Sequence, residues 1–173
     1  MMTAAQQRAS SGDLLIRRAE DSDFDGIWEI FHAVVAKGDT YVYDPGTTKE
    51  QARAIWMAPA LSTYVALLDG EIAGTYILRA NQPGLGSHVA NAGYMVRPDR
   101  TGRGIGRALC EHSLEEARRA GFLAMQFNAV VSTNEPAVAL WRKMGFAIVG
   151  TVPKVFHHRE LGLVDLYVMH RFL

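Results

Sequence analysis

Three glycines at alternate positions stand directly before a helical segment, in the stretch VRPDRTGRGIGRALCEHSL from Val96 to Leu114. Each glycine costs a helix about 1 kcal/mol relative to alanine, so these positions serve a purpose other than helix stability. The start of a helix presents backbone N–H groups that lack intrahelical partners, at the positive end of the dipole. One glycine would suffice for a turn. Three glycines with flanking arginines favour a turn that binds phosphate groups.

Two other glycine motifs do not match this stretch. A Walker A loop requires Gly-Lys-Ser/Thr, whereas Gly106 is followed by Arg107 and Ala108. A dinucleotide fingerprint has the spacing G-x-G-x-x-G and an acidic residue that closes a later strand. Here the spacing is G-x-G-x-G, and the next strand carries Asn128 rather than an acid near its end. Both alternatives are therefore disfavoured.

Hydrophobic periodicity predicts strands and helices in the order β-α-α-β-β-β-α-β-α-β-β, with a hairpin at Asp69-Gly70. A loop is predicted over residues 153–163, between the last two strands. This order indicates a mixed α/β sheet with helices packed on it. We see no repeat or linker, and we expect a flexible tail over residues 1–12 and a single domain over residues 13–173.

The composition argues against several classes of protein. The chain has 173 residues, and its 18 basic and 18 acidic side chains cancel, which gives no indication of binding to nucleic acid or to a membrane. No apolar run is long enough to cross a bilayer, and the start lacks the hydrophobic segment of a signal peptide. The single cysteine, Cys110, fits a reducing compartment. We therefore expect a cytoplasmic protein.

Two motifs, in order along the chain, resemble those of the GNAT N-acetyltransferase superfamily. The acetyl-CoA signature of that superfamily is similar to Val96-x-Pro98-x-x-Thr101-Gly102-Arg103-Gly104-Ile105-Gly106-Arg107-Ala108-Leu109. A second family motif is similar to Asn134-x-x-Ala137-x-x-Leu140-Trp141-x-Lys143-x-Gly145-Phe146. Through the order of strands and helices, the resemblance extends over roughly residues 14–173.

The resemblance implies an α/β GNAT fold, with a mixed, mostly antiparallel sheet and helices on both faces. The strand at 89–96 would be bulged and would splay from the strand at 123–131, and pantetheine would lie in the V-shaped gap as an added strand. The implied catalytic residues are Tyr94, whose N–H would stabilise the oxyanion, and Asn134. The implied acetyl-CoA contacts are Tyr94, Met95, Val96, Thr101, Gly102, Arg103, Gly104, Ile105, Gly106, Arg107, Asn134, Ala137, Trp141 and Lys143.

Two residues depart from the family pattern. Thr101 replaces the usual glutamine or arginine, which matters little because backbone amides make the main phosphate contacts. Trp141 stands where many members have a tyrosine that protonates the departing thiolate, and an indole N–H is no usable acid. Three alternatives remain open: another group supplies the proton, water supplies it, or the thiolate leaves unaided.

The stretches NAGYMV and FNAVVSTN resemble the proline-analogue (azetidine-2-carboxylate) N-acetyltransferases and their bacterial relatives. That resemblance implies a small amino acid or proline analogue as substrate and a cleft lined by Asn91, Asn128 and Asn134. Asn128 stands among apolar neighbours, which favours a buried, bonded side chain over an exposed one. Asn134 also suits a helix cap. Tyr41 is a candidate to cover the amine, and packing is an equally plausible role for it.

Several questions stay open at the sequence level. The candidates for a general base are Asp39, Glu29 and the pair His157-His158, and a water chain is the alternative. We expect no metal site, since adjacent histidines on an extended segment project in different directions. The segments 81–88 and 153–163 are expected to close the pocket, which favours a small-molecule amine over a peptide N-terminus. A CoA-binding module without turnover is a further alternative. The apolar final strand suggests a homodimer.

Overall fold

The computed structural model describes residues 14–173, so the predicted tail over residues 1–12 lies outside the described residues. The described residues form seven strands and four helices. In chain order these are β1 Leu14–Arg18, α1 Phe24–Val35, α2 Lys49–Trp56, β2 Ser62–Leu68, β3 Glu71–Ala80, β4 Val89–Val96, α3 Ile105–Arg119, β5 Ala124–Val131, α4 Glu135–Lys143, β6 Ala147–His158 and β7 Gly162–Phe172. The predicted order of elements is confirmed.

All seven strands form one sheet in the order β1-β2-β3-β4-β5-β7-β6. Among the described strands, β4 and β5 run parallel and every other neighbouring pair runs antiparallel. The turn between β2 and β3 is the predicted hairpin, since Asp69 and Gly70 both have positive φ angles, of 55° and 82°. Two consecutive residues of this kind are what a tight hairpin turn requires. The mixed, mostly antiparallel sheet is confirmed.

Helices cover both faces of the sheet, because side chains along each central strand alternate between two hydrophobic cores. On one face, α1 and α2 pack against Val65, Ile77 and Met95. On the other face, α3 and α4 pack against side chains that include Tyr76 and Phe127. The central strands, β4 among them, are therefore packed on both faces.

The two parallel strands separate soon after they begin to pair. β4 and β5 are in register at only two positions, Val89 with Ala124 and Ala90 with Met125. At the next residue the ladder ends, and the side chain of Asn91 spans the widening gap. The predicted V-shaped splay is confirmed. The expected bulge in β4 is wrong, because β4 pairs with β3 in unbroken register. The register shift lies instead in β5, between Phe127 and Val130.

The C-terminal part of the chain differs from its prediction. Most of the predicted loop over 153–163 is strand, because β6 extends to His158 and β7 begins at Gly162. The last strand is also not an edge: β7 lies between β5 and β6, and β6 forms the edge. The suggestion that the final strand pairs across a two-fold axis is therefore wrong, since both sides of β7 are already paired.

Candidate active site

A cavity of about 630 Å³ opens where β4 and β5 diverge. Its walls come from the segment after α1, from β4, from the turn between β4 and α3, from the end of β5, and from the first turns of α4. This volume lies within the range of small-molecule sites. The splay of the two strands therefore creates a cleft in the middle of the sheet, at the carboxyl ends of β4 and β5.

The main chain of β4 alternates between β3 and this cavity. The Arg97 N–H donates to the Ala73 carbonyl at 2.9 Å, and the Asn81 N–H donates to the Val89 carbonyl at 2.8 Å. In an antiparallel pair such bonded residues recur at every second position. The odd-numbered residues of β4 therefore bond β3, and the even-numbered residues direct their N–H and C=O groups to the opposite edge.

Three of the even-numbered residues lie beyond the point where β5 has diverged, namely Ala92, Tyr94 and Val96. All three line the cavity, so Tyr94 and Val96 present main-chain groups to it, at the positions that the resemblance implies for acetyl-CoA. Met95 lines the cavity too, but its main chain pairs with β3 and its side chain is buried against α1 and α2.

The glycine turn has two kinds of glycine. Gly102 and Gly104 have φ angles of 77°, and an added Cβ would meet nothing within 4 Å, so backbone conformation requires glycine there. Gly104 is the N-cap of α3. Gly106 lies within the first turn, where an added Cβ would be 3.6 Å from Leu140 and 3.8 Å from Val96. The unpaired N–H groups of this turn are a suitable phosphate site.

Arginines around the turn differ in their surroundings. Arg100 and Arg107 line the cavity, and each pairs with a glutamate, at 3.0 Å and 2.8 Å respectively. Arg103 is exposed and lies outside the cavity lining. The glutamates hold the arginines beside the turn, while Arg103 makes no part of the wall.

Helix α4 forms the opposite wall. Asn134 is its N-cap and accepts a hydrogen bond from the Ala137 N–H at 3.4 Å, so the predicted capping role is confirmed. Asn134, Ala137 and Trp141 line the cavity, as does Thr101 from the glycine turn. Lys143 is exposed at the far end of α4 and does not line it. The structure thus gathers the predicted residues around one cavity, with Arg103 and Lys143 as the exceptions.

The asparagines at the strand ends are held by a polar network. Asn91 Nδ2 donates to the Gln126 carbonyl at 2.9 Å, across the point of divergence. Asn128 accepts from Gln126 Nε2 at 3.0 Å and donates to Asn81 Oδ1 at 2.7 Å. Both Asn91 and Asn128 line the cavity. The expectation that Asn128 is buried is wrong, because the bulge in β5 leaves its side chain exposed.

Tyr41 lies against the main chain of β4. Its hydroxyl donates to the Tyr94 carbonyl at 2.7 Å, and its ring stacks on Tyr43 at 5.7 Å. Burial raises the pKa of Tyr41 far above its usual value, so the hydroxyl stays protonated and serves as a donor. Both tyrosines line the cavity. Tyr41 therefore fastens the segment after α1 to the strand that carries Tyr94.

Three charged residues in the lining have no definite role in the sequence analysis. Asp39 is one of several candidates for the general base, and Lys37 and Arg79 were not predicted as site residues. Asp39 lines the cavity together with Lys37 and Arg79. The other candidate bases, Glu29 and the pair His157-His158, do not line it. Neither do the segments 81–88 and 153–163, so the expectation that those segments close the pocket is wrong. The segment 34–43 forms this wall instead.

Comparison with known proteins agrees with this architecture. The sequence pattern of the acetyltransferase (GNAT) family matches residues 25–146. The chain belongs to this family. An L-amino acid N-acetyltransferase, AaaT of Escherichia coli, is 30% identical over 92% of this chain and 98% of its own. A methionine sulfoximine/methionine sulfone acetyltransferase of Pseudomonas paraeruginosa is 30% identical over 81% and 84%. A solved GNAT structure from Kribbella flavida is 49% identical, with a TM-score of 0.89 over 92% and 98% of the two chains.

As a member of the GNAT family, the protein is an acetyltransferase. A solved acetyltransferase of the same fold from Salmonella typhimurium, 24% identical with a TM-score of 0.78, holds acetyl-CoA as its cofactor. The residues of the cleft fit that molecule. The outward-facing main chain of Tyr94 and Val96 suits an extended pantetheine arm. The first turn of α3 suits a pyrophosphate. Within residues 14–173, no cluster of three or more His, Cys, Asp or Glu side chains is arranged to hold a metal ion. None of the helices of this region is long and apolar enough to cross a membrane.

The aromatic wall of the acetyltransferase cleft offers no ready acid. The ring of Trp141 lies 5.0 Å from those of Tyr94 and Phe127, and only 9% of its surface is exposed. The Tyr94 hydroxyl lies 2.6 Å from Ser113 Oγ, on the face of the sheet that α3 covers, whereas the Tyr94 N–H lies in the plane of the sheet and faces the cleft. Burial raises the pKa of Tyr94 well above its usual value. Trp141 therefore packs the core beneath the cleft.

Cys110 is not a nucleophile in this acetyltransferase. It is fully buried on α3, and burial raises the pKa of its thiol to about 12. A reactive cysteine needs a low pKa and an open, electropositive setting. An acetyl intermediate on Cys110 is therefore disfavoured.

Proposed function

We propose that this acetyltransferase moves the acetyl group of acetyl-CoA to the amine of a small amino acid. The observation that carries the proposal is the cleft itself. The main-chain edge of Tyr94 and Val96 faces a pocket walled by Asn91 and Asn128, where amide groups suit the amine and carboxylate of an amino acid. The two relatives described above, which are named for amino acid substrates, support the same class.

The chemistry needs little from side chains. Acetyl-CoA supplies an acetyl group already activated as a thioester. The Tyr94 N–H stabilises negative charge on the acetyl oxygen while the amine nitrogen bonds to the carbonyl carbon. The C–S bond then breaks, and the amine loses its proton to water or to a nearby base. Tyr41 bonds the carbonyl of Tyr94, which belongs to the next peptide unit, and thereby holds the main chain of β4 in place beside the Tyr94 N–H.

The departing thiolate leaves without a dedicated acid. Trp141 has no acidic proton, and both Tyr41 and Tyr94 have raised pKa values and existing hydrogen bonds. An ordinary thiol has a pKa of about 8.5, so a thiolate is a tolerable leaving group near neutral pH. Water then protonates it. Asn134, bonded to the start of α4, contributes by holding that wall of the cleft.

A thiol-release assay over a panel of amines tests the proposal. The purified enzyme is given acetyl-CoA and either free amino acids, their decarboxylated amines, or short peptides. We expect turnover on free amino acids and little on peptides. Turnover on peptides alone would support N-terminal acetylation of proteins instead. Binding of acetyl-CoA in calorimetry without turnover on any amine would support a CoA-binding module, and no binding at high micromolar acetyl-CoA would contradict both.

We also propose a cytoplasmic homodimer, on a different surface from the one the sequence suggested. β6 is an edge strand with exposed Val149, Val152 and Val155, and an unpaired apolar edge favours association. The buried, unpaired thiol of Cys110 supports a reducing compartment. Light scattering after gel filtration tests the dimer. A dimer in the wild-type protein and a monomer in Val152→Lys would support this edge, and a wild-type monomer would contradict it.

A further inference from the structure

Asp39 lines the cavity, and one oxygen of its carboxylate is buried without a partner. Its Oδ1 atom is buried and has no hydrogen-bond partner, and it is the one such side-chain nitrogen or oxygen among residues 14–173. A buried carboxylate is costly unless a donor bonds it, so each unpartnered group in a native protein calls for an explanation. Asp39 also lines the cavity and forms no ion pair within residues 14–173, so a cationic group of a molecule that enters there can supply the missing counter-charge.

The segment that carries Asp39 is fixed at both ends. Before it, the turn between β6 and β7 holds the chain: the Arg159 N–H donates to the Gly38 carbonyl at 3.0 Å, and Arg159 Nη1 donates to the Ala36 carbonyl at 3.1 Å. After it, the Tyr41 hydroxyl bonds the Tyr94 carbonyl at 2.7 Å. Two residues span at most about 7 Å of extended chain. Asp39 is therefore held near the β4 edge that faces the acetyl group.

The charges around the cavity are strongly uneven. Asp39 is the one acidic residue of the lining, which also contains Lys37, Arg79, Arg100 and Arg107. The last two arginines already pair with glutamates. Within residues 14–173, neither Asp39 nor Arg79 forms an ion pair within 4.0 Å, so these opposite charges line one cavity without bonding each other.

The position of Arg79 suits a substrate group. Arg79 lies on β3 directly opposite Asn91 of β4, at the point where β4 and β5 separate. Its side chain is exposed. A guanidinium binds a carboxylate with two parallel hydrogen bonds, which gives direction as well as strength. One cavity thus offers a free carboxylate and a free guanidinium, at separate places in its wall.

We propose that Asp39 and Arg79 bind the two charges of an amino acid, the ammonium group at Asp39 and the carboxylate at Arg79. The inference rests on the proposed function and assigns its selectivity to two side chains. Asp39 holds the nitrogen beside the β4 edge until it loses a proton. Arg79 selects amines that carry a carboxylate, which neither a simple amine nor a peptide N-terminus has next to its nitrogen.

The test compares two substrates that differ in one charge, L-methionine and L-methioninamide. Both carry the ammonium, and only the first carries the carboxylate. Arg79→Leu is expected to lower kcat/KM for L-methionine by about 10- to 100-fold, the usual effect of losing a charged hydrogen bond, and to leave L-methioninamide within about threefold. Asp39→Asn is expected to lower kcat/KM for both substrates by a similar factor. Because each variant is compared with wild type on the same substrate, differences in amine acidity cancel.

Matched controls separate binding from folding. Asp69→Asn and Arg142→Leu change the same residue types at exposed positions outside the cavity lining, and we expect both to behave as wild type. Asp39→Asn and Arg79→Leu should not lower the melting temperature of the free protein, since neither native side chain makes a hydrogen bond or ion pair within the described residues. The Kd of acetyl-CoA should also be unchanged. A drop in melting temperature that parallels the loss of activity would overturn the binding role.

The remaining outcomes are also decisive. If the wild-type enzyme acetylates amino acids but Arg79→Leu affects both substrates equally, the carboxylate role of Arg79 is wrong while the proposed function stands. A carboxylate-dependent loss in Lys37→Leu instead of Arg79→Leu would overturn the assignment in the same way. If the wild-type enzyme acetylates no amino acid at all, the proposed function and this inference are both wrong.

Discussion

A carboxylate placed at Gly106 should weaken the binding of acetyl-CoA without harming the fold. Gly106 lies in the first turn of α3, its φ angle is not in the left-handed region, and an added Cβ would make ordinary contacts with Leu140 and Val96. Glutamate in a first helical turn is also favourable toward the helix dipole. Gly104 is a poorer choice for the same change, because its φ of 77° strains any other residue.

The size of the effect follows from Coulomb's law. A glutamate carboxylate about 5 Å from one phosphate charge, at an effective dielectric constant of about 20, costs about 3 kcal/mol. That energy corresponds to roughly a hundredfold increase in Kd. The matched control is Gly106→Gln, which has the same size without the charge. We expect Gly106→Glu to bind acetyl-CoA about 100-fold more weakly than Gly106→Gln in calorimetry, with similar melting temperatures for the two variants.

The salt dependence provides a second measurement of the same effect. Screening shortens the reach of exposed charges to about 3 Å at 1 M salt, so the difference between the two variants should shrink there. Equal affinities at low salt, within about threefold, would show that the pyrophosphate does not lie at the first turn of α3. A large loss in Gly106→Gln as well would show a steric effect rather than an electrostatic one.

Four further predictions follow from single contacts. Gly38→Ala should lower the melting temperature, because the φ angle of Gly38 is 65° and the new Cβ would lie 3.2 Å from Arg159. It should also raise KM for the amino acid, since the contact with Arg159 holds the segment that carries Asp39, and an unchanged KM would contradict that role. Trp141→Tyr should leave kcat within about threefold, since a thiolate leaves unaided; a tenfold rise would show that an acid is missing. Burial lowers the pKa of His112. The unfolded chain therefore binds a proton at His112 more readily, so the contribution of His112 to the free energy of unfolding is present above about pH 6.5 and is lost as pH falls. In chemical denaturation, His112→Gln should lose less stability between pH 7 and 5 than the wild-type protein. Asp23→Asn should lower the free energy of unfolding by about 2 kcal/mol in the same measurement, because Arg17 and the Glu20 N–H bond the nearly buried Asp23 carboxylate. These bonds lower the pKa of Asp23, so the variant should also lack the part of the stability that the wild-type protein loses below the ordinary aspartate pKa of 3.8.

The elements that the sequence predicted well are those with a strong local signal. The glycine turn, the hairpin at Asp69-Gly70 and the cap at Asn134 all depend on neighbouring residues. The predicted strand ends before β6 does, for two reasons. The exposed edge position of β6 removes the regular alternation of buried and exposed residues, and β6 contains Pro153 and Lys154, whose φ angle is left-handed. Edge strands tolerate both features.

The side chain of Asn128 shows a different limit. Its apolar neighbours Met125, Phe127 and Val130 suggested burial, because alternation on a regular strand would place them on both faces, with Val130 on the same face as Asn128. The register shift between Phe127 and Val130 interrupts that alternation. Nothing in the local sequence fixes where β7 shifts against β5, because that shift is a property of two strands together. The bond from Asn128 to Asn81 could likewise not be predicted, as it joins residues far apart in sequence.

The two halves of the cleft differ in how the chain encodes them, which explains why the cofactor was predicted more readily than the substrate. The acetyl-CoA side consists of main-chain groups on consecutive residues, from Tyr94 through the first turn of α3, so a short motif specifies it. The substrate side consists of single side chains, Asp39 and Arg79 among them. They line one cavity only after β3 pairs with β4 and Arg159 forms hydrogen bonds to the segment that follows α1. Substitutions on that side leave the acetyl-CoA motif intact. A GNAT motif therefore identifies the donor, and the choice of amine has to be sought in the wall formed by residues 34–43 and the end of β3.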